Sequence, residues 1–350
     1  MSSDPIQLYG LGREGLAEAL APLDLPAFRI RQVFAALYRR DCLDPAHWTD
    51  WPLALRQEIA RRFVIARPRI AETRSAPDGT IKALVDLPGG GQVEAVAIPA
   101  ERHVTFCISS QVGCAFGCTF CMTARLGFRR HLEAGEIVGQ VAALRALTAA
   151  SRETYNIVYM GMGEPLHNLQ NVLESLKILS DELGPDLPPR RVTVSTVGLP
   201  PGIRALARLP RPPRLAVSLV TADEERRREL MPVARKYALE ELAEAVREYG
   251  RGRRDRPTLE AVLLEGVNDR PQDARAMVAL ARAARAKVNL IEFNPTPELP
   301  FRPAPEERIE AFLRTLAQGG VVGTVRRSRG REVDGACGQL AFRRRAPGTP

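Results

Sequence analysis

From residue 104 onward, short apolar stretches alternate with helical patterns, and no other feature narrows the fold as much. Residues 104–109, 156–161, 191–196, 214–219, 258–264, 287–293 and 322–326 read as strands. Between them Ile137, Val138, Val141, Leu144 and Leu147 share one helix face. So do Leu239, Leu242 and Val246, and again Met277, Leu280 and Ala284. Alternation kept up over roughly 230 residues implies parallel strands with right-handed crossovers, in an open sheet or a barrel. Six or seven strands fall short of a full eightfold barrel, so a partial α/β barrel is expected, with its chemistry beyond the C-terminal strand ends.

Ahead of this region, residues 1–70 read as a small helical unit. Ile30, Val33, Phe34 and Leu37 fall on one helical face, and Leu55, Ile59 and Phe63 repeat the signal, with Trp48 and Trp51 in the connection. Residues 71–100 form a β-rich connector, with turns at Asp78-Gly79 and Gly89-Gly90-Gly91 and a strand from Gln92 to Ile98 that carries Glu94. The barrel is expected over 101–340, followed by a Pro/Arg-rich tail, 341–350, expected to be mobile.

A hydrophobic share of 45% and a charged share of 26% over 350 residues exclude disorder and a disulfide-stapled miniature fold. No run approaches the roughly 18 uninterrupted apolar residues that cross a bilayer. Met1-Ser2-Ser3-Asp4-Pro5 lacks the basic-then-apolar pattern of a secretory signal. A cytoplasmic, monomeric chain without membrane association is the expectation. The net charge is +9, and only Lys82, Lys177, Lys236 and Lys287 are lysines, the other basic residues being arginines. Arginine suits bidentate phosphate contacts and stacking on bases, so a nucleic-acid partner is a leading candidate. The runs Arg251, Arg253, Arg254, Arg256 and Arg326, Arg327, Arg329, Arg331 could hold an RNA backbone or form solvated faces. Arg29, Arg31, Arg39 and Arg40 are candidates for RNA docking by the N-terminal unit.

The six cysteines are Cys42, Cys107, Cys114, Cys118, Cys121 and Cys337. In a reducing compartment clustered cysteines read as metal ligands or reactive thiols rather than half-cystines. Three fall in Gly113-Cys114-Ala115-Phe116-Gly117-Cys118-Thr119-Phe120-Cys121-Met122, spaced C-x3-C-x2-C just after the first strand of the alternating region. One tetrahedral zinc would need a fourth ligand, and none of His47, His103, His131 and His167 stands at zinc-finger spacing. A cubane 4Fe-4S cluster accepts three cysteines and leaves its fourth iron open for a substrate. The cluster is the leading reading; zinc and ordinary structural thiols are the alternatives. Elsewhere the bland readings are stronger. Gly161-Met162-Gly163-Glu164 ends a strand, where glycines make a turn or let backbone approach a ligand. Cys107 alone reads as core filler, Cys42 as structural, and Glu94 as an ordinary strand carboxylate.

The cysteine loop, with Phe120 before its last thiol, resembles the radical S-adenosylmethionine superfamily. The words around it narrow the match: Phe106 to Cys114, Met160-Gly161-Met162-Gly163-Glu164-Pro165-Leu166, Arg191 to Thr196, Phe293-Asn294-Pro295 and Asp334-Gly335-Ala336-Cys337-Gly338-Gln339-Leu340. Together they resemble the RlmN/Cfr family of RNA adenine methyltransferases over nearly the whole chain. The resemblance implies a partial (β/α)6-type radical-SAM barrel. It implies a 4Fe-4S cluster on Cys114, Cys118 and Cys121, and S-adenosylmethionine, two molecules per turnover, held by Gly163, Glu164, Ser195, the Ser218-Leu219-Val220 segment and Asn294. Where this chain has Val220 the family usually has histidine.

The resemblance also implies the roles of the remaining residues. Adenine ring carbons are too weakly nucleophilic for direct polar methylation, whereas a thiolate is a strong nucleophile. Cys337 would carry the methyl group, radical chemistry at the cofactor would activate it for addition to the ring, and Glu94 would take the ring proton. Cys107 would then attack Cys337, leaving a transient disulfide for a thiol reductant. The implied substrates are an adenine C2 of 23S rRNA, before full ribosome assembly, and tRNA, with flavodoxin or ferredoxin as a low-potential electron donor. The base would have to leave its stack to reach a buried radical. Leu126-Gly127-Phe128-Arg129-Arg130 and Arg327-Ser328-Arg329-Gly330 sit closer to the C2 branch than to the C8 branch, and Met122-Thr123-Ala124-Arg125 is typical of neither. A different radical reaction, such as glycyl-radical activation, would need only the cluster cysteines; a zinc-stabilised RNA-binding module would need no radical at all. Purified without oxygen, the protein is expected to carry iron and sulfide with little zinc by elemental analysis; zinc without sulfide would support the binding module.

Overall fold

The structure is a computed structural model and describes residues 5–148 and 155–327. Cys337, Arg329, Arg331 and the expected tail lie outside the described residues. The chain opens with β1 (Ile6–Gln7), α1 (Arg13–Leu20), α2 (Ala27–Tyr38), α3 (Leu53–Arg62) and β2 (Phe63–Val64). Three longer strands follow: β3 (Arg69–Ser75), β4 (Ile81–Asp86) and β5 (Gln92–Pro99). Then come β6 (Val104–Cys107), β7 (Gln111–Val112), α4 (Met122–Arg125), β8 (Arg130–His131), α5 (Ala134–Thr148), β9 (Tyr155–Tyr159), α6 (Leu169–Ser180), β10 (Val192–Thr196) and α7 (Pro200–Ala207). The remainder is β11 (Arg214–Ser218), α8 (Glu224–Leu230), α9 (Leu239–Gly250), β12 (Thr258–Leu263), α10 (Pro271–Ala283), β13 (Lys287–Glu292), α11 (Glu306–Gln318) and β14 (Gly323–Arg326).

One ten-stranded sheet carries the fold, in the order β14-β13-β12-β11-β10-β9-β6-β5-β4-β3. Within this sheet every pairing from β6 to β14 is parallel, and its strands lie side by side in chain order, while β7 and β8 form a separate antiparallel pair. Crossovers of one hand between strands in chain order put all the helices on one face, and the sheet curls away from them. Because β14 and β3 end the sheet, the barrel is partial. The expected connector does not stand apart: β3, β4 and β5 extend the same sheet with antiparallel pairings, and β5 pairs with β6.

Side-chain alternation separates the two faces. Leu215 and Val217 of β11, Leu259, Ala261 and Leu263 of β12, and Val288 and Leu290 of β13 join the main core beneath the helices. The intervening positions, among them Ser218, Glu260 and Asn289, therefore face the concave side. Helix starts follow local chemistry. Asp223 accepts from Arg226 N at 2.9 Å ahead of α8; at α10 Pro271 takes the first turn while Asp273 accepts from Arg270 N at 3.0 Å.

The N-terminal unit packs as its pattern predicts, with Val33, Phe34, Leu37, Trp48, Trp51 and Ile59 buried. The parallel pairing of β1 with β2, two residues long on each side, was not foreseen; it ties the start of the unit to its end. Arg13 pairs with Asp181 at 2.8 Å, and Gly12 N donates to Glu174 at 3.0 Å, docking the unit on α6 and the turn after it. Among the described residues no helix is long and apolar enough to cross a membrane. Buried Tyr38 accepts from Gly10 N at 2.7 Å and donates to Leu11 O at 3.0 Å. Tyr38→Phe strands both backbone groups and is expected to cost about 1–3 kcal/mol in denaturant unfolding, with no change in iron content.

Candidate active site

The loops at the C-terminal ends of the strands are fastened by buried polar side chains just past β6. Ser109 exchanges two hydrogen bonds with the Gln140 amide of α5, at 2.8 and 3.0 Å. Its hydroxyl donates to Glu94 O at 2.6 Å and accepts from Met162 N at 2.8 Å. Gln111 accepts from Glu164 N at 2.8 Å, and Asn168 donates to Ser110 O and Leu132 O at 2.8 and 2.7 Å. A side chain at Gly163 (φ +99°) would place its Cβ 2.5 Å from Gln111, and one at Gly161 would meet the Ile108 carbonyl at 2.7 Å. The glycines of this turn thus let neighbouring protein atoms approach the backbone closely.

Glu164 is buried and bridges two loops: its carboxylate accepts from Leu166 N at 2.9 Å and from Val197 N at 2.7 Å. Burial pushes its carboxyl up to about 7, against the pull of those two N–H groups and Thr196. Each carboxylate oxygen has a second lone pair, so accepting from a ligand remains open to it.

The cysteine loop runs from β7 to α4. Gly113 is required at its start, since a Cβ there would lie 1.6 Å from Gly127 O, the acceptor for Cys114 N. Cys118 is buried in an apolar cluster with Met122, Val220, Met231 and Phe293, and Phe116, Phe120 and Cys121 pack against it. Burial pushes the Cys114 thiol up to about 12 and Cys118 well above its ordinary value, and charge on the neighbouring cysteines adds to both. Binding metal here must therefore release protons. Among the described residues, no three His, Cys, Asp or Glu side chains come together around one metal ion. Three thiols that act on one another electrostatically are the donor set a cubane uses, each cysteine taking a different iron.

Beside this loop opens a cavity of ≈ 450 Å³ that brings together Glu94, Cys107, Cys121, Met160, Asn294 and Arg326. Three of the sequence candidates from widely separated segments, Glu94, Cys107 and Asn294, thus share one chamber with Cys121 of the cysteine loop. Glu94 is ion-paired with Lys82 at 2.9 Å, both side chains being essentially inaccessible. Lys82 went unremarked in the sequence, though a lysine inside the apolar strand Ile81-Lys82-Ala83-Leu84-Val85 was a usable signal. Burial pushes the Cys107 thiol up to about 11, with Arg326 acting the other way. Cys107 therefore rests as a thiol.

The remaining cofactor candidates differ in what they offer. Ser195 and Ser218 place their hydroxyls 3.3 Å apart. Leu219 is wholly buried in the main core, so only its backbone could serve a ligand. Val220 is buried against Cys118 and holds a left-handed conformation, φ +66°, unusual for a β-branched residue. Its N–H donates to Glu260 O at 3.1 Å and its carbonyl accepts from Asn268 at 2.8 Å, which holds the backbone in place without the histidine usual in the resemblance.

The basic residues divide. Arg326 and Arg327 line the cavity, Arg327 being paired with Glu306. Arg251 to Arg256 lead into the N-terminal end of β12, the opposite end of the sheet from the cysteines; Arg253 stacks on Tyr249 at 4.2 Å and Asp255 pairs with Arg214 at 3.2 Å. In the N-terminal unit Arg29 lies 5.0 Å from the rings of both Phe28 and Trp51, while Arg31, Arg39 and Arg40 are exposed.

Residues 108–278 match the Radical SAM superfamily. A radical SAM methyltransferase from Sphaerobacter thermophilus has the same fold, with a TM-score of 0.89 and 42% identity over 96% of this chain and 99% of that one. Partial barrel and three-cysteine loop together define a radical SAM protein. The dual-specificity RNA methyltransferase RlmN of Syntrophobacter fumaroxidans is 45% identical, covering 90% of this chain and 92% of its own length. Its counterpart in Nitratiruptor sp. is 41% identical over 90% and 93%. The chain belongs to the RlmN family of radical SAM RNA methyltransferases.

Removing one member of a buried ion pair leaves the other charge uncompensated. Lys82→Met is expected to lower stability by about 3–5 kcal/mol, and Lys82→Met/Glu94→Gln to regain most of that loss in the same denaturant titration.

Proposed function

We propose that the protein methylates C2 of an adenine in 23S rRNA and in tRNA, through a methyl-carrying cysteine. The observation that carries the reading is the meeting of Glu94, Cys107 and Asn294 with Cys121 in one cavity at the C-terminal ends of the strands. The relatives' printed function, dual-specificity RNA methyltransferase, supports two RNA substrates.

Cys114, Cys118 and Cys121 would hold a 4Fe-4S cluster and Gly163, Glu164, Ser195, Ser218, Leu219, Val220 and Asn294 would seat S-adenosylmethionine; together these supply one-electron chemistry and the methyl group, two cofactor molecules being used per turnover. The chain's own residues do the rest. Cys337 carries the one-carbon unit to the ring. Lys82 holds Glu94 in the cavity wall, where its carboxylate oxygen takes the ring proton. Cys107 loses its proton only when needed and attacks the Cys337 sulfur. The carbon–sulfur bond breaks with its electron pair going to the carbon, which takes up the proton that Cys107 released and becomes the new methyl group, and a disulfide forms between Cys107 and Cys337. A thiol reductant reopens it, and a low-potential flavodoxin or ferredoxin supplies electrons. We place this chemistry in the cytoplasm, in a monomer. Arg326, Arg327 and the exposed arginines of the N-terminal unit contact the RNA backbone in this reading; the run at 251–256, at the far end of the sheet, is left out of it.

Nucleoside mass spectrometry tests the proposal. RNA lacking the modification, incubated with reconstituted enzyme, should gain 2-methyladenosine in both 23S rRNA and tRNA, and Cys337→Ala should abolish it. Finding 8-methyladenosine, or full activity in Cys337→Ala, would overturn it.

A further inference from the structure

One acidic side chain on the concave face of the sheet has no place in the chemistry above. Glu260 sits mid-strand on β12 and is 6% exposed. Its cross-strand partners are Ser218 on one side and Asn289 on the other, with Thr324 next beyond. Four adjacent strands thus carry a polar row across a sheet whose other face is aliphatic. A second cavity, of ≈ 570 Å³ at the N-terminal strand ends, is lined by Glu260, Asn289 and Thr324, while Val262 and Ile291, two residues further along the same strands, line the upper cavity. The carboxylate therefore stands between the two chambers.

Its hydrogen bonds set a direction. One oxygen accepts from Asn289 Nδ2 at 3.3 Å, and Asn289 Oδ1 in turn accepts from Thr324 at 2.9 Å. The other oxygen lies 3.5 Å from Ser195 Oγ. Ser195 has a single hydroxyl hydrogen, and an ionised carboxylate can only accept. With that hydrogen spent on Glu260, the contact at 3.3 Å between the two serines must run from Ser218 to Ser195. The Ser195 hydrogen then points at the acid and the Ser218 hydrogen at Ser195, and each oxygen keeps a lone pair with which to accept. Burial pushes the Glu260 carboxyl above its ordinary value, and Arg326, Asn289 and Ser195 pull it back part of the way, toward the ionised form in which both its oxygens accept.

We propose that Glu260 is a positioning residue that polarises Ser195 and Ser218 into a pair of hydrogen-bond acceptors for the vicinal hydroxyls of the nucleoside cofactor's ribose. The proposal rests on the reading that Ser195 and Ser218 face S-adenosylmethionine. A diol offers two donors, which two aligned acceptors match; serines free to rotate would match donors and acceptors alike and discriminate less.

Equilibrium binding tests it without turnover, on anaerobically reconstituted full-length protein with S-adenosylhomocysteine and its 2′,3′-dideoxy analogue. The native protein should prefer the diol at least tenfold. Glu260→Gln, nearly isosteric but with an amide that can donate toward Ser195, should erase most of that preference while binding the dideoxy ligand as before, and Glu260→Asp should fall between. If Ser195→Ala leaves both affinities unchanged, the underlying reading of the serines fails. If Ser195→Ala erases the preference and Glu260→Gln does not, or if Glu260→Gln weakens both ligands equally, the role proposed for Glu260 fails. Failure of both Glu260 variants to fold would assign the residue to holding the sheet and would also overturn the proposal.

Discussion

The site depends on how the chain leaves β6. Residues 108–112 bond to β5 through Glu94 O, to α5 through Gln140, to the glycine turn through Met162 and Glu164, and to the segment before α6 through Asn168. Each bond pairs a buried amide or hydroxyl with a buried backbone group. Left unmade, such a group costs more than the bond itself contributes, so the arrangement tolerates little drift. The cysteine loop starts one residue after this segment and inherits its position.

Much of the fold was legible because its signals are local. The strand–helix alternation from residue 104 corresponds to seven parallel strands, and Val33, Phe34 and Leu37 lie on the buried face of α2 as their spacing implies. Chain order in the sheet was not readable, since periodicity says which face of a strand is apolar and not which strand is its neighbour. The β1–β2 pairing was missed for a related reason: two-residue strands brought together from 57 positions apart in register carry no pattern. The polar residues of β11 to β14 were in plain view. Thr258-Leu259-Glu260-Ala261-Val262-Leu263 alternates where a parallel strand buried on both faces should be uniformly apolar, and that departure marks a face turned to a cavity.

Of the candidate site, the cysteine loop announced itself by spacing, whereas Glu94 and Cys107 stood out only through the family resemblance. The structure adds what one-dimensional reading could not: Lys82 ion-paired with Glu94, and Glu260 beside Ser195 and Ser218. Both are ionisable residues inside apolar strands. Partners on other strands make such burial tolerable, and these become visible only when the strands are placed side by side. Burial likewise pushes up both the Cys107 thiol in the cavity wall and the Glu164 carboxyl between its two loops.

All of this chemistry presupposes that Cys114, Cys118 and Cys121 leave one iron of a cubane open to the cofactor. Electron paramagnetic resonance of the anaerobic, chemically reduced protein, with and without S-adenosylmethionine, tests that directly. The expected spectrum is that of a reduced 4Fe-4S cluster whose g-values shift when S-adenosylmethionine is added. A cluster signal indifferent to the cofactor, or no cluster signal after reconstitution, would contradict the assignment.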